Sequence, residues 1–171
     1  TIALLADDEA VAAGKTYSSS GPQAGFGVLE IGRHLLETCA DVGEAKQALL
    51  EAKLYYGSIP CHYLVADAKG AAFVWENSPA MSVGFVHESP GEPLVTTNFL
   101  RYLHPDLDAL PEERSPLGNF SRYRTLLQSC SERTGPLTLD AIRTMNGRAS
   151  PAGPAPRPPL APGRTLWRAL Y

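Results

Sequence analysis

Apolar residues recur along this chain with two periods, and the change of period marks the elements. Tyr63 and Val65, then Phe73 and Trp75, are spaced by two, as half-buried strands require. The β-rich run His62 to Asp67 and the returning run Ala71 to Glu76 are separated by Ala68, Lys69 and Gly70. Gly70 supplies the positive φ of a tight turn, so the two runs predict a β-hairpin. Val83 to Val86 reads as a third strand. Leu94 to Thr97, with the β-branched run Val95-Thr96-Thr97 leading to Asn98, reads as a fourth. Thr1 to Leu5 is a short apolar run with the character of a strand end.

Helical spacing appears between these strands. Leu29, Ile31, Leu35, Leu36 and Cys39 predict a helix over residues 27–39. Asp41 with Glu44 reads as a capping box, in which the first caps free backbone amides and the second reaches back. A second helix then runs to Lys53, with Val42, Ala45, Ala48, Leu49 and Ala52 inward. Two consecutive helices before a hairpin predict a helical layer over a sheet. Asp7 to Gly25 is polar, without periodicity, and reads as a loop.

Beyond Asn98 the pattern turns irregular, because Pro105, Pro111 and Pro116 interrupt any long element. Asn119 or Ser121 starts a helix carrying Tyr123, Leu126 and Leu127 to about Cys130. Thr138 reads as the N-cap of a short helix, Leu139 to Met145. Residues 151–163 hold six prolines in thirteen positions, which fits neither helix nor ladder and predicts an exposed loop. Thr165 to Tyr171 reads as a last strand.

Composition narrows the class. At 171 residues the chain is long enough for one domain with a core, and 44% hydrophobic with 19% charged residues is ordinary for a globular protein. A net charge of −3 without a basic run argues against nucleic acid as a partner. No apolar stretch approaches the length of a membrane span. Three cysteines at unrelated spacings make neither a disulfide framework nor a zinc pattern.

Asn98 is the first candidate for chemistry. It stands where a strand gives way to a loop, and a fixed side-chain amide there can stabilise negative charge on a carbonyl oxygen; a turn asparagine is the plain alternative. Cys61 and His62 are adjacent, but neighbours in a strand point to opposite faces, so they do not make a thiol–imidazole pair. Cys39, Cys61 and Cys130 read as buried packing residues. Asp67 and Glu76 flank a turn and close a strand, and read as structural. His34, His87 and His104 have no ligand spacing. Thr1 invites a minor reading as an N-terminal threonine nucleophile with its own amine as base.

The order of several weak patterns is more specific than any of them. HYLVADAKGAAFVWE, then VTTNF, SRYRTLL and RTLWRALY, with RHLLETCADVGEAKQALLEA before them, resembles the choloylglycine hydrolase and penicillin V acylase family. It resembles equally the related autoproteolytic isopenicillin-type acyltransferases. The resemblance covers most of residues 24–126 and returns at 164–171. It implies an α/β fold of α+β type, part of a four-layer αββα sandwich with mainly antiparallel sheets.

It also implies hydrolysis of a linear, non-peptide amide bond, or acyl transfer, through an N-terminal cysteine. No residue here matches that cysteine or the arginine and aspartate that follow it, so the chain looks like the larger, C-terminal part of such an enzyme. By resemblance Asn98 helps to hold the oxyanion, and Arg122 sits beside the nucleophile, with Arg124 as the alternate. Phe99-Leu100 after Asn98 is more like the acyltransferase branch than the bile-salt enzymes. No metal or organic cofactor is implied. The partner implied is a small-molecule N-acyl amide, with no nucleic acid, no membrane, and a homo-oligomer left open. The reading of another class is a non-catalytic α/β domain that binds or scaffolds, either a degenerate relative or an unrelated fold.

Overall fold

The computed structural model describes residues 1–7, 25–55, 60–78, 83–113, 118–135 and 137–149. The chain divides into two compact units, Thr1–Pro105 and Asp106–Tyr171. The first unit carries β1 (Ile2–Ala6), β2 (Phe26–Gly27), α1 (Val28–Thr38), α2 (Val42–Glu51), β3 (Leu54–Tyr55), β4 (Cys61–Ala66), β5 (Ala72–Ser78) and β6 (Val83–Glu88), then a 3₁₀ turn at Arg101–Leu103. The second carries α3 (Asn119–Ser131) and α4 (Leu139–Arg148), which pack on each other.

Four strands form an antiparallel sheet in the order β1-β4-β5-β6. The hairpin of β4 and β5 sets its register: Tyr63 faces Trp75 and Val65 faces Phe73. Alternation puts these four on one side of the sheet. There they meet Ile31 and Leu35 of α1 and Val42, Ala45 and Leu49 of α2 in one buried core. Tyr63 also donates its hydroxyl to the Val28 carbonyl, 3.2 Å away, so its polar tip is satisfied at the start of α1. The two-residue parallel pairing of β2 with β3 ties together the chain on either side of the two helices.

Local chemistry accounts for the boundaries. Gly70 has φ +89 in the β4–β5 turn. Asp41 caps α2 by accepting from the Glu44 amide at 3.1 Å, and Glu44 reaches back to the Ala40 amide at 2.7 Å, one residue before the cap. Asp67 binds the turn to this helix: its carboxylate accepts from Lys69 and Ala71 in the turn and from Val42, the first residue of α2. Partial burial raises its pKa, but those three amides and the Lys69 charge outweigh it and hold the carboxyl below the usual aspartate value. Thr138 caps α4 through the Ala141 amide.

The expected elements thus appear, an α+β arrangement with an antiparallel sheet under a helical layer, and one expectation is corrected. Leu94–Thr97 forms no strand. Its β-branched residues favour extended backbone, but a strand also needs a ladder partner, and the Phe99 amide instead turns back onto the Thr97 carbonyl at 2.9 Å. Thr96 and Thr97 are buried, and the Thr96 hydroxyl is bonded to His62 rather than laid along a sheet edge. The loop expected over 7–25 falls mostly outside the described residues, and the Pro-rich stretch 151–163 and the strand expected at 165–171 fall entirely outside them.

Candidate active site

The side of the sheet away from the helices is polar at one end. Ala6 lies opposite Cys61 in the β1–β4 ladder, and the chain continues from Ala6 into Asp7. The next position along alternation puts Asp7 on the face of His62, and the two side chains are hydrogen-bonded through Asp7 Oδ1 and His62 Nδ1. The other ring nitrogen, Nε2, lies 3.2 Å from Thr96 Oγ1. Two residues on, Asn98 donates its side-chain amide to the Ala6 carbonyl at 2.9 Å. Asp7 and His62 are 1% and 0% exposed, whereas Asn98 is half-buried, so the amide sits where the polar cluster reaches the surface.

The segment holding Asn98 is anchored on its far side by Glu76. This carboxylate of β5 is fully buried. It accepts from the Arg101 amide at 2.7 Å, the Tyr102 amide at 3.0 Å and His87 Nε2 at 3.0 Å. Burial raises its pKa, but the His87 bond, the two backbone amides and the His87 charge outweigh it, and the net shift is below the usual glutamate value. The amides belong to the first residues of the 3₁₀ turn, where backbone donors have no partner of their own. Tyr102 stacks on Phe85 of β6 with centroids 4.5 Å apart, and Phe99 and Leu100 are buried. Glu76 therefore fixes the loop as a structural residue, but from inside β5 rather than from the strand end that the sequence suggested.

Cys61 is buried, and burial, followed by the nearby Asp7 charge, pushes its thiol up to about 12. It stays protonated at neutral pH and is no nucleophile. Burial also raises the Cys130 thiol, with Arg133 opposing. Arg122, on α3 of the second unit, donates to Asn119 Oδ1 at 2.5 Å. Arg124 is spent on the Leu110 and Pro111 carbonyls, at 2.6 and 3.2 Å. The Thr1 amine donates to the Ala66 carbonyl at 2.8 Å, at the end of β1 opposite to Asn98. A cavity of about 250 Å³ opens at that same end between Ile2, Leu35, Val42, Val65 and Asp67, and shares no residue with the Asn98 cluster. Among the described residues no group of three His, Cys, Asp or Glu side chains is placed to hold a metal ion. No described helix is long and apolar enough to cross a membrane.

Sequence reasoning missed Asp7, His62 and Thr96 as a group. Their contacts span 55 and 34 positions, so spacing carries no trace of them. The one signal was a histidine set between apolar strand residues on the face opposite Cys61.

An antiparallel sheet layered under two helices is consistent with the α+β fold of the N-terminal-nucleophile amidase and acyltransferase class. Residues 10–152 match the family model of acyl-coenzyme A:6-aminopenicillanic acid acyl-transferase, and the chain belongs to this family. The match spans Asn98 and Arg122, and it disposes of the reading as an unrelated fold. No curated protein matches the chain in sequence. Acyl transfer or amide hydrolysis is the chemistry of the family.

Proposed function

We propose that the protein of which this chain is part cleaves a linear amide of a small N-acyl molecule, passing the acyl group to water or to an amine. The nucleophile in this reading is an N-terminal cysteine upstream of Thr1. Its thiolate attacks the acyl carbonyl, and the oxygen takes up negative charge. The cysteine's own α-amine carries the proton to the leaving nitrogen as the C–N bond breaks. A thioester remains, and water or an acceptor amine releases it by the same route in reverse.

Asn98 is the donor to the oxyanion, and one observation carries that role. A primary amide has two N–H bonds, and holding one on the Ala6 carbonyl fixes the direction of the other. A donor fixed in advance costs no reorganisation when charge develops. Arg122 is assigned beside the nucleophile, where a guanidinium favours a thiolate. Its place in SRYRTLL supports this. Phe99-Leu100 after Asn98 and the family match both favour the acyltransferase branch over bile-salt hydrolysis.

The test is kinetic, on the full-length protein with an N-acyl amide substrate. Asn98→Ala should lower kcat by about 10²–10³-fold, the loss of one oxyanion donor, with the fold intact. Arg122→Ala should slow thiol alkylation as well as turnover. A near-normal kcat in Asn98→Ala returns Asn98 to the role of a turn residue. An alkylation defect in Arg124→Ala but not in Arg122→Ala moves the assignment by two residues.

A further inference from the structure

We propose that Asp7, His62 and Thr96 are positioning residues of this centre, closing a ring of bonds that aims the Asn98 amide; the inference rests on the assignment of Asn98 as the oxyanion donor. The ring can be followed link by link. Ala6 is joined to Asp7 by the chain, Asp7 to His62 by a hydrogen bond, and His62 to Thr96 at 3.2 Å. Thr96 leads through Thr97 to Asn98, and Asn98 returns to Ala6 at 2.9 Å. Three segments, far apart in sequence, are thereby closed on one another.

The ring joins parts that are otherwise held separately. The β1–β4 ladder holds Ala6, and Glu76 holds the Arg101 and Tyr102 amides, while residues 94–100 have no ladder of their own. His62 links the two segments, because it stands in β4, inside the sheet, and grips both at once. Its burial suits this use. Asp7, His62 and Thr96 are 1%, 0% and 9% exposed, so water does not compete for their bonds.

Both charge states of the imidazole keep the ring closed. In the neutral ring, Nδ1–H donates to the Asp7 carboxylate and Nε2 accepts from the Thr96 hydroxyl. In the imidazolium, Nε2 donates to the hydroxyl oxygen, and the hydroxyl proton turns to the Thr97 carbonyl, 3.4 Å away. The device therefore sets position in either state.

The experiment is a mutant cycle in the full-length enzyme. Thr96→Val keeps the branched shape and removes the hydroxyl. It should lower kcat by about tenfold to a hundredfold, the effect of displacing a catalytic group by roughly an ångström, with KM unchanged. Thr96→Ser should restore kcat. In an Asn98→Ala background, Thr96→Val should cause no further loss, because the ring acts only through Asn98. Exchange of the Asn98 side-chain amide protons, followed by NMR, should be faster in Thr96→Val than in wild type. Should Thr96→Val not fold, His62→Gln bears the same expectations, since glutamine reaches the Nε2 position but releases Asp7. Wild-type kcat in Thr96→Val beside a slow Asn98→Ala overturns the ring and leaves the oxyanion assignment standing. Full additivity in the double variant overturns it too. Wild-type kcat in Asn98→Ala removes the assignment itself, and the ring's catalytic role with it.

Discussion

The two faces of the sheet are held by different physics. Toward the helices, Tyr63, Val65, Phe73 and Trp75 meet an apolar layer, and the face is stabilised by area removed from water. Toward Asn98, the buried side chains include Asp7, His62 and Glu76, and the face is stabilised by directed hydrogen bonds. Area is non-directional and tolerates changes that keep volume. A buried hydrogen bond tolerates none, because the group left behind is desolvated and unmet. The strands thus offer an adaptable face to the core and an exacting one to the site, where a donor must be held in one direction.

Substitutions on each face test that contrast. The largest loss of stability is expected at the centre of the apolar face. Phe73→Ala removes a fully buried ring and should cost about 3–5 kcal/mol in equilibrium denaturation. A loss within the range of a surface substitution would mean that the helices do not seal this face.

Next comes Glu76→Gln, which nearly keeps shape but sets an amide N–H against donors. About 1–3 kcal/mol should go, and residues 98–102 should lose amide-exchange protection before the helices do. The pH dependence carries the sign. The folded pKa of Glu76 is depressed, so its contribution is present above the ordinary glutamate value of 4.5 and is lost as pH falls through the lowered value. Wild type should therefore lose stability in acid below about pH 4.5 more steeply than Glu76→Gln. Parallel acid profiles would show that the carboxylate does not anchor the loop.

The smallest effect is expected from a near-isosteric change on the apolar face. Leu35→Met should cost less than about 1.5 kcal/mol and leave kcat alone. If it proved as costly as Glu76→Gln, the two faces would not differ in the way described.

Much of the apolar face was legible from the chain. The period-two spacing of Tyr63, Val65, Phe73 and Trp75, the helical spacing of Ile31 and Leu35, and the Asp41–Glu44 box are local signals, and each element appeared at its expected place. The caps at Asp41 and Thr138 were readable because a cap bonds amides only three residues away. Asn98 and Arg122 were singled out by motif order, which reports ancestry rather than geometry.

The polar face was decided only by tertiary contact. Leu94–Thr97 has the composition of a strand, yet Thr96 is drawn onto His62 and the chain turns at Thr97–Phe99, because long-range bonds outweigh a propensity worth a fraction of a kcal/mol per residue. Asp7 had the look of a loop residue, His62 of a strand residue, and Glu76 of a strand end. Only folding brings Asp7 to His62 across 55 positions and Asn98 to Ala6 across 92, and only burial makes those contacts strong. Periodicity is written in neighbouring residues, so the strands and helices were determined by the sequence itself. Which polar groups must meet in the dry interior depends on register and on what covers the sheet, and that was settled by the tertiary structure alone.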